Sequence, residues 1–191
     1  MLSDTLKSQT QTLHDKLEQN PFMNKIEKGT FSKTDYIILL ELFYKLHHCL
    51  EAQMMEYEEL DMPRRERKSS LENDLLALKH TVKSAHCTFG GDLEIKIDTL
   101  SKAYGALYVL EGSRMGGLFL SKLIRSQLGD DIPLSYFEGF KEKTPHYVST
   151  FKALLNEKSS ILDAKECVQS AKDIFIFVDY LFGDAKHLMS S

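Results

Sequence analysis

One histidine stands apart from the other six because of its neighbours. His14 lies in the run LKSQTQTLHDKLE, from Leu6 to Glu18. On a helix, Lys7 sits two turns earlier on nearly the same face, an axial separation of about 10 Å at 1.5 Å per residue. Glu18 sits one turn later. Imidazole can bind a metal, a carboxylate four residues on can orient that imidazole, and an ammonium two turns away can meet a distant acid. The set would suit an acidic tetrapyrrole lying across the helix. A helical histidine with a structural role is the plainer alternative, and this stretch alone does not separate the two.

The second stretch with chemical potential is YGALYVLEGSRMGG, from Tyr104 to Gly117. Leu107, Leu110, Leu118 and Leu123 recur at helical spacing and no proline interrupts them. Yet Gly112, Gly116 and Gly117 fall in the middle, each costing roughly 0.8–1 kcal/mol against alanine. A local rule broken three times in six residues marks a close approach to the backbone. Gly112-x-x-x-Gly116 serves either a helix crossing or a flat ligand resting on bare backbone. Other signatures are missing: there is no H-E-x-x-H, no E-x-x-H of a carboxylate-bridged di-iron bundle, no G-x-S-x-G elbow and no phosphate-binding G-x-x-x-x-G-K-[ST]. His47, His48, His80, His86, His146 and His187 read as solvated or core-satisfied residues.

The elements that must position these residues are helical almost throughout. Ser3 is placed to cap a first helix through about Glu18, with Leu6, Leu13 and Leu17 as its apolar stripe. Asn20-Pro21 ends it. Ser32 with Asp35 forms a capping box and opens a helix through about Glu59. Pro63 and the basic run Arg64 to Lys68 read as a solvated loop, and Ser69 with Glu72 opens the next helix. Thr88 to Asp92, TFGGD, is the clearest break. The glycine-bearing helix follows from about Asp98 to Gly129, then a turn at Ile132-Pro133-Leu134. Thr144 is the expected N-cap of a helix with Pro145 at its first position. Asp163 with Glu166 caps a last helix carrying Phe175, Phe177, Tyr180 and Phe182.

The expected fold is therefore an all-α, single-domain helical bundle over residues 1–191. With 42% hydrophobic and 27% charged residues the chain has ample core for one domain. No segment has the length of a membrane span, and the N-terminus lacks the apolar core of a secretory signal, so the expected location is cytoplasmic. A net charge of −4 with interspersed signs excludes nucleic acid as the main partner. Cys49, Cys87 and Cys167 are scattered, without a C-x-x-C pair, and read as buried small hydrophobes.

Leu6–Glu18 and Tyr104–Gly117 together resemble the paired motifs of the haem oxygenase family, closest to its bacterial branch. The likeness continues through SYFEGFKEKTPHYVSTFKALL and AKDIFIFVDYLF, in the family's order. It implies a bundle in which the first helix supplies the proximal histidine and a glycine-rich distal helix covers the oxygen-binding face of haem. By this resemblance His14 is the axial iron ligand and Glu18 its orienting partner, with haem both cofactor and substrate. Lys7 and Lys152 become candidates for the haem propionates. Gly112 and Gly116 would face the oxygen site, Gly117 would aid the close approach, and Phe175 would line the pocket. Ser113 stands where animal members have an aspartate that organises distal water, and Asn156 where some members place a further arginine. The implied activity is oxidative opening of haem to biliverdin, with release of carbon monoxide and ferrous iron, using dioxygen and an external electron donor. The alternatives are a haem carrier or sensor that does not oxidise, and a related helical fold that has lost haem.

Overall fold

The computed structural model describes residues 1–82 and 95–188, the last five by their backbone. In chain order the helices are α1 (Leu2–Glu18), α2 (Asn24–Glu27), α3 (Lys33–Met54), α4 (Met62–Arg65), α5 (Lys68–Ala77), α6 (Leu100–Leu128), α7 (Ser135–Glu138), α8 (Thr144–Glu157) and α9 (Ala164–Leu188). Short 3-10 turns stand at Glu58–Leu60, Lys141–Lys143 and Lys158–Ser160. No strand occurs among the described residues, as expected for an all-α chain.

α6 and α9 form the central crossing, and α1 lies along α9. α3 packs on α5, while α7 and α8 rest on α6. A continuous apolar core joins Leu6 and Leu39 to Leu107, Phe151, Ile174 and Phe177. Among the described residues no helix is long and apolar enough to cross a membrane.

Helix starts test the local reading closely. Ser32 and Asp35 form the expected reciprocal box: the Asp35 N–H donates to Ser32 Oγ at 3.1 Å, and the Ser32 N–H donates to Asp35 Oδ2 at 2.9 Å. Asp163 caps α9 as expected, accepting the Lys165 and Glu166 N–H groups at 2.7 and 3.1 Å. Glu166 does not complete a box there. Its carboxylate accepts the Thr99 hydroxyl at 2.8 Å, while Thr99 Oγ1 caps α6 through the Lys102 N–H. The starts of α6 and α9 are thus tied side by side.

Other expectations are corrected. Ser3 lies inside α1, and its own N–H is capped from α8 by Asn156 Oδ1 at 2.9 Å. α3 stops at Met54, short of Glu59, so that the chain can turn and bury Leu60 and Met62. α5 begins before Ser69, whose N–H is taken by Glu66 Oε1 at 2.7 Å in place of a Ser69–Glu72 box. Thr144 is the first residue of α8 and not its cap; its hydroxyl is buried without a partner among the described residues. Cys167 is buried and free, but Cys49 is disulfide-bonded, a pairing that scattered spacing cannot reveal. Cys87, His86 and the TFGGD break lie outside the described residues, as does the side chain of His187.

Candidate functional site

His14 sits on the outer side of α1 with its side chain half exposed at 51%. A helical histidine in a structural role would be buried and doubly bonded, as His47 is. His14 Nδ1 instead lies 3.6 Å from Glu18 Oε1, and Nε2 has no partner among the described residues. The imidazole stands edge-on to Phe175 of α9, with ring centroids 6.0 Å apart and planes inclined by 71°. Phe175 is buried, so this contact fixes the ring from the core side and leaves Nε2 free. One turn along α9, Val178 begins a narrow apolar recess shared with Leu42, Phe43, Leu46, Leu181 and Phe182.

α6 faces α1 across one specific contact. Tyr108 of α6 stands beside Thr10 of α1, whose Oγ1 donates to Leu6 O at 2.8 Å. Burial pushes the Tyr108 phenol above its usual range, so it stays a neutral donor. His14 lies one turn after Thr10, and Gly112 one turn after Tyr108.

Beyond that contact the glycines divide into two classes. A Cβ on Gly105 would meet the Cys167 carbonyl oxygen at 2.3 Å, and one on Gly117 would meet the Phe137 carbonyl oxygen at 3.1 Å. These two are packing glycines, one for the crossing with α9 and one for the seat of α7. Gly117 was expected to aid the approach of a ligand; its bare side faces α7 instead. Among the described residues, no heavy atom lies within 4 Å of where a Cβ would stand on Gly112 or Gly116. Among the described residues no helix therefore crosses α6 at Gly112-x-x-x-Gly116. Both are exposed, and they form one stripe with Met115 and Phe119, which are 44% and 60% exposed. An exposed apolar stripe with a flat, side-chain-free window is a place for a flat ligand. Ser113, beside it, donates its hydroxyl to Leu110 O at 2.8 Å and keeps its acceptor lone pairs free for water.

The expected cationic residues are less enclosed. Lys7 and Lys152 are exposed and make no hydrogen bond or ion pair among the described residues. Each stands one turn from the Ser3–Asn156 bond that joins α1 to α8.

Behind the stripe is a buried polar network that the sequence reading missed. Glu111 accepts from Arg114 at 2.8 Å and from Arg65 at 3.1 Å. Arg114 also donates to Arg65 O at 2.9 Å. Arg67 is buried, stacks on Tyr136 with its guanidinium carbon 4.0 Å from the ring centroid, and donates to the Tyr136 carbonyl. The expected solvated loop therefore holds only for Arg64; Arg65 and Arg67 turn inward because acids and carbonyls await them. Farther in, His47 Nδ1 lies 2.6 Å from Glu51 Oε1, and its Nε2 lies 3.0 Å from the Tyr136 hydroxyl.

This chain has a consistent proton arrangement. Burial holds the His47 imidazole below its usual range, hence neutral, despite Glu51 nearby. Burial alone would raise the Glu51 carboxyl, but bonds from His47 and from the Arg67 and Lys68 N–H groups more than offset it and keep it ionised. Nδ1–H then donates to Glu51, and Nε2 accepts from Tyr136. The network clamps α7, whose Phe137 carbonyl bears on Gly117, so the glycine helix is held from behind. The one signal in the sequence was Glu111 and Arg114 at i, i+3, on the face opposite Gly112 and Gly116.

The family model described as Heme oxygenase matches residues 1–184. No curated protein sequence gives a significant match. Among solved structures, haem oxygenase-1 of the cyanobacterium Synechocystis, determined in complex with haem, superposes with a TM-score of 0.74 at 18% identity, covering 96% of this chain and 91% of that one. The haem oxygenase of Leptospira interrogans gives 0.75 at 18% identity, with coverages of 96% and 98%. That of Neisseria meningitidis, determined with NO and CO bound, gives 0.67 at 21%, with coverages of 96% and 91%. These likenesses establish the shared helical fold, and the family match over nearly the whole chain establishes more: this protein belongs to the haem oxygenase family.

Proposed function

We propose that the chain binds haem as its substrate and opens it to biliverdin, with release of carbon monoxide and ferrous iron, drawing on dioxygen and an external electron donor. One observation carries this beyond family membership. A half-exposed imidazole on α1, its Nε2 without a partner among the described residues, accompanies a bare, exposed window at Gly112 and Gly116 on α6, with Thr10 and Tyr108 of the two helices side by side one turn earlier. An imidazole nitrogen, a flat apolar wall and two lysines without partners among the described residues are the donor set that haem requires.

In this reading His14 Nε2 would hold the iron, and Glu18 and the Phe175 ring would orient the imidazole. Lys7 and Lys152 meet the two propionates through charge-assisted bonds. When bound, haem supplies both the oxygen-activating iron and the ring that is oxidised. The protein's work is to bind, to orient and to exclude. Gly112 and Gly116 keep the oxygen side free of side chains, while Met115 and Phe119 flank the window and limit water. Ser113 Oγ stands ready to hold one water at its edge. Gly117 serves the same wall indirectly, by letting α7 seat against α6. The continuous core from Leu2 to Phe182 supports treating the chain as one domain.

The test is His14→Ala. The purified variant should lose the Soret band of histidine-ligated haem and at least tenfold of its rate of verdin formation with a chemical reductant. An unchanged spectrum and rate would overturn the assignment. Wild-type protein that takes up haemin but leaves it intact under reductant and dioxygen would instead be a carrier.

A further inference from the structure

Asn156 Oδ1 accepts the N–H of Ser3 at 2.9 Å across 153 residues of sequence. The early N–H groups of a helix have no partner within it, and they are usually satisfied by a side chain just upstream. Here the partner comes from the far end of α8. The contacts also fix how the helices run. Glu111 binds Arg65, whose guanidinium stacks on Phe151, whereas one turn farther along α6 Arg114 stacks on Phe140, just before α8 begins. α8 therefore runs antiparallel to α6. Gln9, His14 and Lys16 meet Lys172, Phe175 and Asp179 in step, so α1 runs with α9, and Ser101 and Gly105 meet Asp163 and Cys167 in step, so α9 runs with α6; α1 therefore runs against α8. Lys7 is one turn beyond Ser3 and Lys152 one turn before Asn156. In antiparallel helices both steps go the same way, so the two lysines are displaced together toward the level of His14.

We infer that Asn156 is a positioning residue. Its bond to Ser3 sets α1 against α8 so that Lys7 and Lys152 stand abreast as a two-pronged clamp for the paired carboxylates of haem. The inference takes the haem reading as given and adds the device that spaces the cations. Neither lysine has another partner among the described residues to hold it, so their spacing follows the helices that carry them.

The experiment compares two probes, haemin and its dimethyl ester, whose carboxylates are masked. Asn156→Ala should weaken haemin binding about fivefold, the scale of a lost helix cap. It should leave binding of the ester within about twofold of wild type, since the ester has nothing for the clamp to hold. Asn156→Asp, which keeps the accepting oxygen, should restore haemin affinity. Equal losses for both probes would make Asn156 merely structural and overturn the inference, as would unchanged haemin binding in Asn156→Ala. Wild-type protein that shows no histidine-ligated Soret band with either probe would instead sink the haem reading itself, so the two failures are distinct.

Discussion

Replacing Gly116 with alanine should make the haem-free protein more stable and the enzyme worse. A Cβ at this position meets no heavy atom within 4 Å among the described residues, so the added methyl displaces none of them. It removes the backbone freedom of an interior helical glycine, a gain of roughly 0.8–1 kcal/mol. For 191 residues that corresponds to a rise in Tm of about 2–4 °C. The same methyl projects into the window proposed for the oxygen side, where it should slow verdin formation at least tenfold, about 1.4 kcal/mol in barrier. Haemin affinity should change by less than about threefold. Gly105→Ala is the control of opposite sign. Its Cβ would lie 2.3 Å from the Cys167 carbonyl oxygen, which is backbone and cannot swing away. α6 and α9 would have to separate by about 1 Å to restore van der Waals contact. Overpacking of this kind costs typically 1–3 kcal/mol, which outweighs the propensity gain. Scanning calorimetry of the haem-free proteins and single-turnover spectra of the loaded ones measure both effects. A lower Tm for Gly116→Ala would mean that the face is packed and not open. A higher Tm with an undiminished rate would mean that the window is not where oxygen chemistry occurs.

The buried network yields two further expectations. His47 is held below its usual value near 6.5, so the unfolded chain gains a proton there that the folded chain refuses; stability present above about pH 6.5 is lost as the pH falls below it. Glu51, held below its usual 4.5, adds a second loss in more acid solution. Urea midpoints should therefore fall between pH 7 and 5, and His47→Gln should flatten that slope; an equally steep slope in the variant would refute the assignment. Arg67→Ala strips the cation from beside Glu111, Glu51 and the Tyr136 carbonyl, and should cost about 3–5 kcal/mol by denaturant unfolding. A loss under 1 kcal/mol would show that the network does not clamp α7.

Features written within a few residues were legible before the structure. The Ser32–Asp35 box and the Asp163 cap are decided by side chains three residues from their targets, and both stand where spacing put them. Ser3 and Thr144 have the right residue types for caps, yet neither caps. The N–H that matters in α1 is met by Asn156, which no local pattern can supply, and Thr144 is drawn into the core as α8 seats on α6. Arg65 and Arg67 sit in a run that looks solvated, because what buries them comes from α3, α6 and α7. Among the site residues His14 was distinguishable by its company of Lys7 and Glu18, and Gly112 with Gly116 by an energetic anomaly. Spacing could not tell which glycines are bare for a neighbour and which for a ligand. Gly105, the tightest among the described glycines, looked the most ordinary, since a lone helical glycine announces only its cost.

The division among those glycines bears on how such a chain would drift over generations. Filling position 105 strains the crossing of α6 and α9 at a cost of about 1–3 kcal/mol, so lineages that lose this glycine lose stability. Filling 112 or 116 has the opposite sign for folding: a single methyl is rewarded with stability while the window closes. Selection on foldedness alone would therefore erase the window proposed for the oxygen side first, and quickly. Relatives that have abandoned haem should keep glycine at the position of Gly105 and carry alanine, or larger residues, at those of Gly112 and Gly116. Persistence of both small positions in a chain is then a record of chemistry still under selection, written where stability would have removed it.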